Sequence, residues 1–134
     1  MADINRHGNL IKAFDVPCST YGKTTEQAKA IIWDACRTVT DYAAEKQKNL
    51  VLETLDFSKK KRQLDNEPGR YARMLSSLPY NKIKETLCSQ SHNNTVAVYT
   101  VNPAYLSLIG RFKFALQKRR SVHQAAAFVL ARRF

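Results

Sequence analysis

A chain of 134 residues with 44% hydrophobic side chains is long enough for one domain with its own core. Its formal charge of +11 is unevenly placed: residues 1–68 hold 11 basic and 10 acidic residues, whereas residues 69–134 hold 11 basic residues and one acid, Glu85. So positive a half-chain points to an anionic partner, nucleic acid first. Cys18, Cys36 and Cys88 are widely spaced and form no Cys-x-x-Cys pair, which excludes a disulfide framework and a zinc knuckle. The longest apolar stretch, near Ala125–Ala131, is too short to span a bilayer, and no apolar segment follows Met1 as a signal peptide would require. No membrane partner is expected, and a reduced bacterial or archaeal cytoplasm fits.

In chain order, a Gly8-Asn9 turn precedes a strand over Asn9–Val16, closed by Pro17. Thr24 and Gln27 have the spacing of a capping box. The helix behind them places Ala28, Ile31, Ile32, Ala35, Val39, Tyr42 and Ala43 on one stripe. Lys46, Lys48 and Asn49 end it, and a buried strand over Leu50–Leu55 starts at once. Ser58–Gly69 reads as an exposed loop with a Pro68-Gly69 break. Arg70–Cys88 has helical spacing interrupted by Pro79, which predicts a kink or two consecutive helices. A polar link, Ser89–Asn94, leads to a strand over Thr95–Val101. Ala104–Lys118 reads as a loop with a short helix. A last helix starts at Ser121, paired with Gln124 at capping-box spacing, with Val122, Ala125, Ala126, Val129 and Leu130 as its apolar face. Strand, helix, strand, helix, strand, helix is the order of an α/β domain, here a single one over residues 1–134.

Glu53 is the residue that points to chemistry. It leaves the end of an apolar strand, where an ionised carboxylate is costly unless it is paired. Binding a hard divalent cation offsets that cost. The basic run Lys59-Lys60-Lys61-Arg62 follows within a few residues and suits a phosphate chain. An exposed polar loop would read the same way. Lys118-Arg119-Arg120 and Arg132-Arg133 bracket the last helix, either to touch a nucleic-acid backbone or to cap helix ends. Tyr80, Tyr99 and Tyr105 suit base stacking, with core packing the better reading for Tyr99. Asp56 reads as a loop cap or a metal helper, and His7 and His92 carry no role. No Gly-rich phosphate loop, nucleophile elbow or metalloprotease helix is present.

The run Leu52-Glu53-Thr54-Leu55-Asp56-Phe57-Ser58-Lys59-Lys60-Lys61 resembles the second catalytic motif of the RuvC-like, RNase H-fold domain of the TnpB (OrfB) family. These are transposon-encoded relatives of the RNA-guided nucleases of type V CRISPR systems. Tyr71–Tyr80, Val101–Gly110 and Ser121–Ala127 through Arg132-Arg133 resemble further family segments in the same order. The resemblance covers nearly all of this chain, and only the last part of a full-length family member. It implies an RNase H-like mixed sheet flanked by helices, and a nuclease centre of three carboxylates holding two Mg2+ or Mn2+ ions.

Glu53 transfers to that centre as the second metal ligand. The first has two registers. In one, Asp3 within Ala2-Asp3-Ile4-Asn5 is the opening aspartate. In the other, which the sequence favours, Asn5-Arg6-His7-Gly8-Asn9 matches a turn one hairpin later, and the chain is N-terminally truncated, lacking the first strand and its aspartate. The third ligand position holds His123, a poorer partner for magnesium than a carboxylate, and a packing or capping role fits it equally well. Leu108-Ile109-Gly110 stands where the family carries a zinc-ribbon cysteine pair, so no zinc ribbon is expected.

Two functions follow from the resemblance. One is a DNA- or guide-RNA-binding domain derived from a transposase-associated endonuclease, with an incomplete catalytic site. The other is an active metal-dependent DNA nuclease using Asp3, Glu53 and His123. A broken sheet would expose a strand edge, so a second copy or a partner chain could complete it.

Overall fold

The computed structural model describes residues 1–54, 80–117 and 119–133. Within them the chain is mixed α/β, with short strands in two-stranded sheets. It forms two compact units, one from residues 17–50 and 80–97 and the other from residues 1–16, 51–54 and 98–133. The Lys59–Arg62 run, Asp56, Leu55, the Pro79 break and Lys118 lie outside the described residues.

The first unit is a helix pair, α1 (Thr25–Glu45) against α2 (Tyr80–Asn93). The predicted capping box at the start of α1 is complete. Thr24 Oγ1 accepts the Gln27 N–H at 3.3 Å, and Gln27 Oε1 accepts the Thr24 N–H at 3.1 Å. The apolar stripe is present, centred on Ile32, Cys36, Thr40 and Ala43, with Ala28, Ile31, Ala35, Val39 and Tyr42 half-buried beside it. Leu87, Gln90 and Ser91 are the buried side chains of α2.

Of the segment Ser89–Asn94, expected as a polar link, all but Asn94 is instead the end of α2. Its polarity misleads because Gln90 and Ser91 are buried, and Gln90 Nε2 donates to the Trp33 carbonyl at 3.3 Å. The two helices stop in the same way. In α1, Gln47 turns left-handed (φ 53°), and the Gln47 and Lys48 N–H groups close on the Ala44 and Ala43 carbonyls. In α2, Thr95 does so at φ 56°, with Thr95 N–H to His92 O and Val96 N–H to Ser91 O. These are Schellman caps, which glycine ordinarily serves.

Thr95 is β-branched, and the left-handed region is costly for such a residue. Thr95→Gly is therefore expected to stabilise the protein by about 1 kcal/mol. The urea midpoint should rise with no change in slope, and an unmoved midpoint would show that the cap carries no strain. The cap also explains why the strand expected from Thr95 begins later, at Val98.

Cys36 sits on the buried stripe of α1, its Sγ facing the Ile83 carbonyl of α2 at 3.7 Å. Burial, and to a lesser degree Cys18, pushes its thiol up from 9.0 to about 11. An acid whose folded pKa is raised stabilises the fold fully below the unfolded value and loses that contribution as pH rises through the folded one. Stability is thus expected to fall between pH 9 and about 11. Denaturation midpoints across that window should decline less steeply in Cys36→Ala; parallel profiles would remove Cys36 as the cause.

The second unit begins with β1 (Ala2–Ile4) and β2 (Leu10–Ala13), antiparallel with Ala2 opposite Ala13, Asp3 opposite Lys12 and Ile4 opposite Leu10. The chain therefore has a strand ahead of the one read as first, and Asp3 lies in it. The loop between them is built by Asn5, whose Oδ1 accepts the His7 and Asn9 N–H groups at 3.0 and 2.9 Å, while Gly8 takes φ 75°. β3 (Leu50–Glu53) pairs with β4 (Val98–Val101). Leu50 N–H bonds Ala97 O at 2.9 Å and Thr54 N–H bonds Val101 O at 2.8 Å, so both strands advance together and the pairing is parallel. Tyr99, expected in the core, is exposed on β4.

Residues 104–118, read as a loop with a short helix, hold α3 (Leu106–Ile109) and a π-helical segment (Gly110–Ala115). The last helix, α4 (Val122–Arg132), starts where expected. Ser121 Oγ accepts the Gln124 N–H at 3.2 Å. The Gln124 side chain does not return the bond within the helix; its Nε2 donates to Asp15 Oδ2 at 3.2 Å. α4 packs on α3, the π-helical segment and the β1–β2 hairpin. The core here is Leu106, Phe114, Ala125, Phe128 and Val129, flanked by Ala2, Ile4, Leu10, Ile109, Ala126 and Leu130. Phe128, not Val122, is the large residue on the buried face of α4; Val122 lies in the first turn and is exposed.

Candidate nucleic-acid interface

The segment from Tyr105 to Arg120 combines cations with apolar side chains that nothing among the described residues covers. Leu108, Phe112 and Leu116 are spaced four apart, and Phe112 and Leu116 are 76% and 89% exposed. The opposite side of the same turns buries Leu106, Gly110 and Phe114, which fixes the outward row by helical geometry. Tyr105, left-handed at φ 61°, is exposed just ahead of it. Arg111 and Lys113 stand among these groups, with the Arg111 guanidinium 5.8 Å from the Phe112 ring centre.

At the far end the chain closes with another Schellman pattern. Arg119 is left-handed at φ 49°, the Arg119 N–H bonds Leu116 O at 3.2 Å, and the Arg120 N–H bonds Ala115 O at 3.0 Å. Arg119 and Arg120 are thereby held on a fixed backbone with their side chains exposed. Among the described residues, Arg111, Lys113, Arg119 and Arg120 have no acidic group within ion-pair distance. In the helical unit the contrast is plain: Lys29, Arg37, Lys46 and Lys82 each pair with a neighbouring carboxylate at 2.8–3.9 Å.

Arg132 and Arg133 have structural work. The Arg132 guanidinium lies 5.8 and 5.7 Å from the Phe114 and Phe128 ring centres, covering the edge of the core. Arg133 Nη1 donates to the Asn102 carbonyl at 2.9 Å. Both are exposed at the end of α4.

The carboxylate candidates are placed as follows. Asp3 is buried, at 7% exposure, in β1, in register with Lys12 across the hairpin, a pairing of opposite charges on one face. Glu53 is half-buried at the end of β3. His123 is exposed in the first turn of α4. Among the described residues no three His, Cys, Asp or Glu side chains stand together as a metal-ligand set, so Asp3, Glu53 and His123 are not gathered into one.

No family model matches the chain, and no curated protein or solved structure is significantly similar to it. No helix among the described residues is long and apolar enough to cross a membrane.

Sequence reasoning missed Arg111, Lys113, Phe112 and Leu116, because residues 104–118 read as loop. The signal was there: Leu108, Phe112 and Leu116 repeat at four residues with bases between them. A reader expects such a row to be covered, and here it faces outward.

Proposed function

We propose that this chain is a nucleic-acid-binding domain related to the RuvC-like, RNase H-fold part of transposon-encoded TnpB-type endonucleases, with an incomplete catalytic site. The observation that carries it is the exposed set Arg111, Lys113, Arg119 and Arg120, with no acidic partner among the described residues, beside exposed Tyr105 and Phe112. Cations on a fixed backbone neutralise phosphates, and exposed aromatic rings offer bases a stacking surface. DNA is the expected partner, with guide RNA as a further one. A second copy or a partner chain pairing with an open strand edge belongs to the same reading.

The test is fluorescence anisotropy with labelled DNA between about 50 and 200 mM salt. Affinity should fall linearly on logarithmic axes. In the double variant Arg119→Ser, Arg120→Ser the slope should shrink by about 1.4–1.8, the value for two lost phosphate contacts. Binding that ignores salt would sink the reading.

A metal-dependent nuclease using Asp3, Glu53 and His123 with Mg2+ or Mn2+ is the second reading, favoured by the burial of the Asp3 carboxylate on a strand. It requires that Glu53→Ala abolish metal-dependent DNA cleavage while leaving DNA binding intact.

A further inference from the structure

Between α1 and α2 lies a cleft of about 170 Å³ lined by Trp33, Arg37, Thr40, Asp41, Gln90 and Asn94, with Asn93 beside them. All of these belong to the helical unit. We propose that this cleft binds a single nucleobase, Trp33 stacking on its face and Gln90 and Asn94 bonding its edge, with Arg37 at the rim for the attached phosphate.

Several observations converge on this. Trp33 sits one position off the buried stripe of α1, and 52% of it is exposed. A large aromatic left half uncovered at the mouth of a cleft offers a flat apolar face to a flat ligand. Side-chain amides present a donor and an acceptor together, the pattern that reads base edges. Gln90 is the most telling of them. It is 6% exposed, its Nε2 is committed to the Trp33 carbonyl at 3.3 Å, and its Oε1 is buried with no partner among the described residues. A buried amide oxygen left unpaired costs stability, and a donor delivered from the cleft would relieve it once the amide turns toward the ligand.

Asp41 organises the rim. Its Oδ1 accepts from Asn94 Nδ2 at 3.4 Å and its Oδ2 faces Arg37 Nε at 3.5 Å, so one carboxylate holds both an amide and a cation of the lining. The volume is below the roughly 300 Å³ where pockets for drug-sized ligands begin, which suits one planar ring system rather than a base pair. Trp, Asp and Asn also serve sugars. The Arg37 guanidinium among the lining residues favours a ligand that carries phosphate.

The inference rests on the nucleic-acid reading only for the source of the base, and its test is separate. Trp33 is the one tryptophan in the chain, so its fluorescence reports on this cleft alone. The full chain is titrated with each of the four deoxynucleoside 5′-monophosphates, and in parallel with glucose 6-phosphate and inorganic phosphate. At least one nucleotide is expected to quench saturably, with neither phosphate control doing so. Asn94→Ala and Arg37→Ala, both at surface positions, should each weaken that nucleotide about tenfold, the equivalent of one good edge or phosphate contact.

No saturable quenching by any nucleotide overturns the proposal. So does equal quenching by glucose 6-phosphate, which would make the cleft a sugar-phosphate site, or an affinity unchanged in both variants. The Arg119→Ser, Arg120→Ser protein should keep the full nucleotide response while losing oligonucleotide affinity. Nucleotide quenching without any oligonucleotide binding would leave the cleft standing and refute the proposed function. Oligonucleotide binding without nucleotide quenching would do the reverse.

Discussion

Gly110→Ala is expected to destabilise the protein by about 1–3 kcal/mol, against what helix propensity alone would say. Alanine is worth about 1 kcal/mol over glycine inside a helix, and Gly110 has ordinary helical torsions (φ −56°, ψ −49°), so a reader of sequence would expect a gain. Packing reverses the sign. A Cβ on Gly110 would lie 2.7 Å from the Ala126 nitrogen, 2.9 Å from the Ala125 carbonyl carbon and 3.0 Å from the Ala126 Cα. All three are backbone atoms of α4, with no flexible side-chain end to swing aside. The added methyl must push α4 off the start of the π-helical segment, which loosens the contact that buries Leu106, Phe114 and Phe128. Thermal melting should show Tm lower by several degrees, the shift expected for a loss of this size in a chain of this length. A Tm equal to or above the parent's would mean that the helices do not approach so closely in solution.

The same site shows what the sequence displays and what it hides. Ala125 and Ala126, small residues on the apolar face of the last helix, suit close packing onto a sheet, whereas in the structure it is Gly110 of the preceding segment that approaches them closely. Which glycine answers it cannot be read from the chain, because Gly110 sits in a stretch with no clean period. α1 was legible almost throughout, since 21 residues carry a repeating stripe and a complete capping box. β1 was not, because three residues offer no period, and a buried Asp3 in their middle contradicts the usual composition of a strand. Its pairing depends on Leu10–Ala13 and on the Asn5 turn, both of which become informative only as a hairpin.

Ser89–Asn94 failed for the opposite reason. Its residues look like a loop, and tertiary partners, above all Gln90 against the Trp33 carbonyl, hold all but Asn94 helical. At the candidate interface, the sequence reading named Arg119 and Arg120, which the structure leaves exposed, and gave Arg132 and Arg133 an open choice. Arg132 is held over two aromatic rings and Arg133 on a carbonyl, so part of their charge has a structural use. A basic cluster read from sequence therefore overstates the cations free to meet phosphate, unless each is checked for an internal partner.

Phe128→Ala should be the most damaging single substitution among the described residues, costing about 3–5 kcal/mol. The ring is almost fully buried and meets Phe114 edge to face, with centroids 5.0 Å apart and planes at 87°. That geometry sets the positive edge of one ring against the negative face of the other and adds about 0.5–1.5 kcal/mol beyond the area buried. Truncation removes the pair, leaves a cavity between α4 and the π-helical segment, and takes one of the two rings from beneath Arg132. Against a total stability of about 5–15 kcal/mol, such a loss consumes a large part of the margin.

Chemical denaturation of Phe128→Ala, Phe114→Ala and the double variant separates the terms. The double variant should cost less than the two singles together by about 0.5–1.5 kcal/mol, since the ring pair can be lost only once. Strict additivity would mean that the two rings stabilise the core independently. A loss below about 1 kcal/mol in Phe128→Ala would place this side chain outside the core altogether, because no exposed residue costs as much as a buried ring.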